Sequence, residues 1–467
     1  MKKGFLTLVL VALLAGGLGT VPSPARATGF VVNSDSDDNM AHDKNPGDGQ
    51  CASWFDECTL RAAIEEANAH AGADTITFQS AMYIILDQTE GALPALTDYT
   101  VIDASSVWDS ANDQPGVTLH GGGMNDSGLT IQQKDCEVYG LFIINFGDAI
   151  LVKSSNNTIG GPNTGQRNVL SSNTGSGVFL LGSSAMSNTV QYNYIGLSAS
   201  GESKAPNRWG VYISEGASAN TIQYNWLSGN TESGVNILFS SSRQNEISAN
   251  YIGLAKDNTT PLGNGTHGVA IVSAAETRVQ SNLIAHNGWC GIVFNQAPST
   301  YILDNAIHDN GKGGIWIFDS SDAAIYFNAI YGNQEDGVMI DGASALRNEI
   351  SANSIYGNGG KGIALKDGGN ASLAAPTITS ANSSGASGTV AAGVRSVEIY
   401  SDSADEGKTH HKRCSVNTIT NQWTCSTAIT GPNVTALAFD VDGNTSEFST
   451  PYSLGHKVFL PLVLRNR

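Results

Sequence analysis

Apolar positions recur along the middle of the chain with a fixed period. A glycine, then Val or Ile, any residue and another apolar residue appears at Gly177-Val178-Phe179-Leu180, Gly210-Val211-Tyr212-Ile213, Gly234-Val235-Asn236-Ile237 and Gly268-Val269-Ala270-Ile271. It continues at Gly291-Ile292-Val293-Phe294, Gly314-Ile315-Trp316-Ile317, Gly337-Val338-Met339-Ile340 and Gly362-Ile363-Ala364-Leu365. Successive glycines lie 33, 24, 34, 23, 23, 23 and 25 residues apart, so two copies of a 23-residue unit carry insertions of about ten. In register run Asn193, Asn225, Asn250, Asn282, Asn305, Asn328 and Asn353, each with an aliphatic residue three before and two after. In the uninterrupted units a further Asn follows five later, at Asn230, Asn287, Asn310, Asn333 and Asn358.

Each unit thus holds three short β-branched runs parted by turns, too short for helices. One unit cannot bury itself. Its inward aliphatics contribute ~1.5–3 kcal/mol each, against ~1–2 kcal/mol per residue for ordering the backbone. Stacking solves this, because neighbouring units share hydrogen bonds and equivalent residues pile up about 4.8 Å apart. Stacked Asn amides bond along the same axis. The pattern predicts a solenoid.

The three-strand unit with its turn Asn resembles the right-handed parallel β-helix of pectate lyases, polygalacturonases and their relatives, over roughly residues 75–370. The resemblance implies that Gly-Val-x-Ile is the first sheet, Asn220-Thr-Ile-Gln-Tyr224 the second, Asn225 the tight turn and Trp226-Leu227 the third. Further forward, Cys58-Thr-Leu-Arg-Ala-Ala-Ile-Glu-Glu-Ala-Asn68, followed by Asp74-Thr-Ile-Thr-Phe78, resembles the CSLREA segment of secreted bacterial β-helix proteins. Thr59 stands for its Ser and Ala62 for its Glu. Leu60, Ile64 and Ala67 make one apolar helix face, with Arg61, Glu65 and Glu66 expected outward. A short amphipathic helix over the open first coil is what a solenoid needs for solubility.

The expected organisation is all-β. A signal peptide spans 1–27, a cap with the CSLREA-like segment 28–74, and a right-handed parallel β-helix of ten to twelve coils 75–372. A small Ig-like β-sandwich spans 373–455 and an apolar-basic tail 456–467. The signal reading rests on Met1-Lys2-Lys3, the apolar run Phe5 to Leu18 and the Ala25-Arg26-Ala27 cleavage pattern. Cleavage there takes the net charge from −18 to −21. The expected location is extracellular or at the cell surface, with no membrane-spanning segment. Outside the cytoplasm disulfides persist, and Cys51 with Cys58 and Cys414 with Cys425 are spaced for local bridges. Cys136 and Cys290 sit in apolar patterns and read as buried thiols.

Composition narrows the function. The chain has 24 Lys and Arg against 42 Asp and Glu, which excludes a nucleic-acid binder. Its 53 Gly and 40 Asn point to turns with positive φ.

The outward positions of the first sheet carry one carboxylate, Asp341, where glycosidic cleavage commonly needs two. Polygalacturonase and alginate-epimerase motifs are absent, so no catalytic set is assigned. Those positions instead form an apolar and aromatic stripe. Tyr212, Trp316 and Phe318, with Trp209, Trp289 and Arg208 beside them, are the candidate binding residues. The competing expectation is that the insertions or the C-terminal domain cover the stripe.

The insertions Ser198–Asn207 and Ala255–Asn264 fall in the turn before the first sheet, where they could wall a groove and bring Lys204 and Lys256 near Arg208 and His267, with Arg208 and Glu232 as an acid/base pair. The favoured reading is solvated loops with an exposed ion pair worth under ~1 kcal/mol. No cofactor or metal is assigned. Asp35, Asp37, Asp38, Asp43 and Asp48, and the Asp440–Glu447 turn, are only weak calcium candidates. His267, His286 and His308 lie at different offsets from their turn residues and are not expected to converge. The leading reading is a monomeric, non-catalytic protein engaging extracellular polysaccharide or envelope material. A lyase, epimerase or hydrolase with an unfamiliar site, and a spacer or adhesin with a protein target, are the rivals.

Overall fold

The computed structural model describes residues 28–455. The expected signal peptide and the C-terminal tail lie outside the described residues. Three long parallel sheets wind as a right-handed β-helix. The first sheet has ten strands, from Leu129–Ile131 to Ile363–Lys366. The second has twelve, from Gly29–Val32 to Glu349–Ser351, and the third eleven, from Met82–Ile85 to Ser354–Tyr356. Register follows the repeat, with Val211 paired to Val235 and Ile213 to Ile237 in the first sheet and Ile222 to Ile247 in the second. These aliphatics are fully buried and form one continuous core.

The conserved spacing of Asn reflects bonding rather than backbone conformation. The left-handed residue of the turn is the one before the ladder Asn, such as Tyr224 (φ 55°), Asp304 (φ 54°) and Phe327 (φ 60°). The tight turn expected at Asn225 spans Tyr224 and Asn225, between strands Thr221–Gln223 and Trp226–Leu227, and its left-handed residue is Tyr224. The Asn amides run in three ladders. One links Asn168 through Asn193, Asn225, Asn250, Asn282, Asn305 and Asn328 to Asn353. A second links Asn173, Asn207, Asn230, Asn264, Asn287, Asn310, Asn333 and Asn358. A short third joins Asn157, Asn188, Asn220 and Asn245. The two insertions end on Asn207 and Asn264, so neither interrupts its ladder.

The repeat glycines are likewise set by packing. A Cβ at Gly210 would stand 2.3 Å from the carbonyl oxygen of Gly234, and one at Gly314 would stand 2.6 Å from that of Gly337. Neither has positive φ.

At the front, the strand Gly29–Val32 pairs in parallel with Asp74–Phe78 and so joins the second sheet. Helix Leu60–Ala69 starts at Thr59, whose hydroxyl accepts from the Ala62 N–H at 3.0 Å. Leu60, Ile64 and Ala67 are buried as expected. The outward placement of Arg61 and Glu66 is overturned: both are buried, because the loop over 33–58 folds across that face. Arg61 pairs with both oxygens of Asp37 at 2.8 and 2.9 Å, and Glu66 accepts the N–H groups of Gly47 and Gly49. Asp43 accepts from Asn45 and Ala52. These acids therefore serve the loop. The Cys51–Cys58 bridge closes it, and Cys414–Cys425 closes the C-terminal hairpin.

The C-terminal unit is a single antiparallel sheet of seven strands between Thr377 and Ser453, curled until its first and last strands approach. Val397, Ile399, Trp423, Val434 and Ala436 fill it. It caps the open end of the solenoid by continuing the solenoid's bonding. The Glu406 carboxylate accepts from the backbone N–H and side-chain amide of Asn358 at 3.3 and 3.1 Å, where the next ladder Asn would sit. Ile355 and Gly407 exchange backbone bonds at 3.0 and 2.9 Å, and Arg413 meets Glu349 at 2.6 Å. Asp440 closes a turn by accepting the N–H groups of Asp442, Gly443 and Asn444.

Candidate functional site

In each Gly-Val-x-Ile strand the flanking aliphatics point inward and the middle residue outward. Register stacks Phe179, Tyr212, Asn236, Ala270, Val293, Trp316 and Met339 in one column. Leu238, Val272, Asn295, Phe318 and Asp341 form the next. The candidate residues divide into two clusters along this face.

In the first cluster Tyr212 lies between Phe179, at 4.7 Å, and Trp209, stacked at 4.8 Å. The Arg208 guanidinium sits 4.0 Å over the Trp209 ring. Its Nε is 3.7 Å from Glu232, and both side chains are about half exposed. An exposed pair of this kind contributes under ~1 kcal/mol.

In the second cluster the Lys312 ammonium lies 5.1 Å from the ring of Trp289 and 5.5 Å from that of Trp316. His267 meets Trp289 edge-on at 5.3 Å, and Phe318 meets Trp316 edge-on at 5.9 Å. Trp289 is 49% exposed. Trp316 folds back over Gly313, where a Cβ would stand 2.0 Å from its Nε1, and that nitrogen has no hydrogen-bond partner. Trp316 is therefore mainly a support for the Lys312 and Trp289 pair. Burial, then Lys312, lowers the His267 pKa to about 4. Its ring is neutral at pH 7, and the Cys290 N–H approaches its Nδ1 at 3.4 Å.

The insertions do not wall this face. They pair with each other, Lys256 N–H to Gly201 carbonyl at 3.0 Å, and lie over the third sheet. There Leu197 and Leu262 pack with Tyr194 and Trp226, and Trp226 donates to Asn258 at 2.9 Å. Lys204 donates to the Gly263 carbonyl and Lys256 pairs with Glu202, so neither lysine joins Arg208 and His267. The C-terminal sheet closes the end of the solenoid rather than the stripe. The rings of the stripe cover one another instead.

Two features escaped the sequence reading. Asp148, just before a first-sheet strand, accepts the Ser176 N–H at 2.6 Å. Burial raises its pKa above the ordinary carboxyl value, opposed by that bond. Its partner in space is 28 residues away, and nothing in the local pattern marks it. The second is a convergence on the third sheet: His286, His308 and Asp309 come together while His267 stays apart. Cys136 and Cys290 are buried free thiols, their pKa values pushed up by burial to about 11 and about 12.

By fold the chain is a right-handed parallel β-helix protein. Residues 254–404 match the family described as right handed beta helix region. No curated protein matches the sequence. Among solved structures, the A-module of the mannuronan C-5 epimerase AlgE6 of Azotobacter vinelandii is similar at 16% identity and a TM-score of 0.44, covering 66% of this chain and 93% of that one. Pectate lyase Pel9A is similar at 13% identity and a TM-score of 0.43, covering 65% and 77%. The full-length tailspike protein 2 of an Escherichia coli O157:H7 bacteriophage is similar at 10% identity and a TM-score of 0.41, covering 85% and 66%. No helix among the described residues is long and apolar enough to cross a membrane.

Proposed function

We propose that this is a secreted, monomeric, non-catalytic β-helix protein that binds extracellular polysaccharide or envelope glycan along its first sheet. One observation carries the reading. Two tryptophan clusters, each topped by a cation, stand on one solvent-facing strip, Arg208 over Trp209 and Lys312 over Trp289. Tyr212 and Trp316 are four coils apart in register, about 19 Å at the ~4.8 Å strand spacing. Aromatic edges give a sugar ring apolar contact, and cations on a chain of net charge −18 select acidic sugars over neutral ones. Two disulfides support an oxidising compartment.

The test is incubation of the mature protein with neutral and acidic polysaccharides, with and without calcium, read by affinity electrophoresis and product mass spectrometry. Retardation by acidic chains that stay intact is the expected result, weakened in Trp289→Ala and Arg208→Ala. Shortened, unsaturated or epimerised chains replace the binding reading with the lyase, epimerase or hydrolase reading and direct attention to Arg208, Glu232 and Asp148. No retardation by any polysaccharide favours a spacer or adhesin with a protein target, for which the three Asn ladders supply a stiff rod.

A further inference from the structure

The third sheet carries a donor cluster that the polysaccharide reading does not use. Asn287 and Asn310 are consecutive members of one Asn ladder, so the residues before them, His286 and Asp309, occupy the same turn position in successive coils. Both have left-handed backbone, φ 60° and 53°. His308 precedes Asp309 and brings a second imidazole to the same place. One ligand atom from each of the three lies within 4.8 Å of the other two.

The surroundings fit a bound ion. The His308 ring stacks on Tyr331 at 4.7 Å and is nearly parallel to it, which fixes its plane. His286 meets His308 edge-on at 5.9 Å. Nδ1 of His308 lies 2.8 Å from an Asp309 carboxylate oxygen. The next coil has Gly332 at the equivalent turn position, where a Cβ would stand 2.7 Å from Asp309 Oδ1, so the carboxylate occupies room that a side chain would fill. The imidazoles are partly buried and the carboxylate is exposed, leaving one side open to water.

We infer that His286, His308 and Asp309 bind a divalent first-row transition metal, of which zinc is the reference, and that the ion clamps two consecutive coils together. Two imidazoles with one carboxylate suit zinc, copper or nickel, whereas calcium and magnesium take oxygen ligands. With bonds of about 2.0–2.1 Å, tetrahedral ligand atoms stand roughly 3.3 Å apart, a closure that side-chain rotation supplies. Water completes the coordination. The site lies away from the first-sheet strip and is independent of what that strip binds.

The experiment is titration of the tag-free, chelator-stripped mature protein with zinc chloride, followed by calorimetry and thermal unfolding. One zinc per chain and a raised unfolding midpoint are expected. His286→Ala and His308→Phe should each weaken binding at least tenfold and remove the shift in midpoint; the phenylalanine keeps the stack on Tyr331, so loss of binding reads ligation rather than packing. His411→Ala, in the C-terminal sheet, should bind as the parent does. Absence of one-site binding, or binding unchanged in both ligand variants, overturns the inference.

Discussion

Asn305 gives both its backbone N–H and its side-chain amide to a single oxygen, Oδ1 of Asn328, at 2.9 Å each. Its own Oδ1 receives the same two donors from Asn282, at 3.0 Å. The remaining amide hydrogen is shared by the carbonyls of Val279 and Leu303. Each ladder Asn thus satisfies the turn of one coil with the side chain of the next, and the side chain is nearly fully buried. No other neutral side chain of that length offers both acceptor and donors.

Asn305→Ala should therefore strand the two Asn282 donors and lower stability by ~1–3 kcal/mol. Asn305→Asp should cost more, since it keeps the acceptor but sets a buried charge against backbone carbonyls. Denaturant midpoints of the purified variants measure both. An unchanged midpoint for Asn305→Ala would remove the ladder from the account of stability.

His267 makes stability depend on pH. Its folded pKa is about 4, against ~6.5 unfolded. Between those values the unfolded chain takes up a proton that the folded ring refuses, so stability falls as pH drops from 6.5 to 4. The contribution is up to ~1.4 kcal/mol per pH unit, and is flat outside that window. His267→Phe should shallow the slope by that amount, read as the difference between variant and parent midpoints at pH 7, 5.5 and 4.

The buried pair of Arg61 with Asp37 ties the N-terminal loop to the capping helix. Removing one partner leaves the other charge buried and alone, so Asp37→Ala should destabilise by about 3–5 kcal/mol. Replacing both with apolar residues of similar size should cost much less. A double variant as unstable as the single one would contradict this.

Cys136 and Cys290 should be inert in the folded protein. Burial holds both as thiols, with pKa values of about 11 and about 12. A thiol reagent at pH 8 should report no free thiol in the native protein and two after unfolding. Rapid native labelling would show that one of them is accessible.

Much of the fold was legible because a solenoid repeats its contacts. Gly210, Ile222, Asn225 and Leu227 have counterparts in coil after coil, so strand register is written as sequence spacing. The stripe of Tyr212, Trp316 and Phe318 follows from the same arithmetic. The non-repeating parts were harder. Arg61 and Glu66 read as solvent-facing on a helical wheel, and only the return of the 33–58 loop buries them. The insertions read as solvated loops or groove walls, but Leu262 of one and Leu197, just ahead of the other, pack on Tyr194 and Trp226 of the third sheet.

The sequence by itself determined the coil, the three sheets and the column to which each repeat residue belongs, since periodic hydrogen bonding needs only periodic residues. Tertiary structure decided what each column meets. It set Arg208 over Trp209, brought His286 beside His308 across one coil step, turned the left-handed position onto the residue before most ladder Asn, such as Tyr224 and Asp304, and placed Glu406 at the end of a ladder. Those relationships join residues whose separation in the chain follows no single rule. Side-chain rotation, loop course and domain docking settle them, and none of the three is encoded in a repeat.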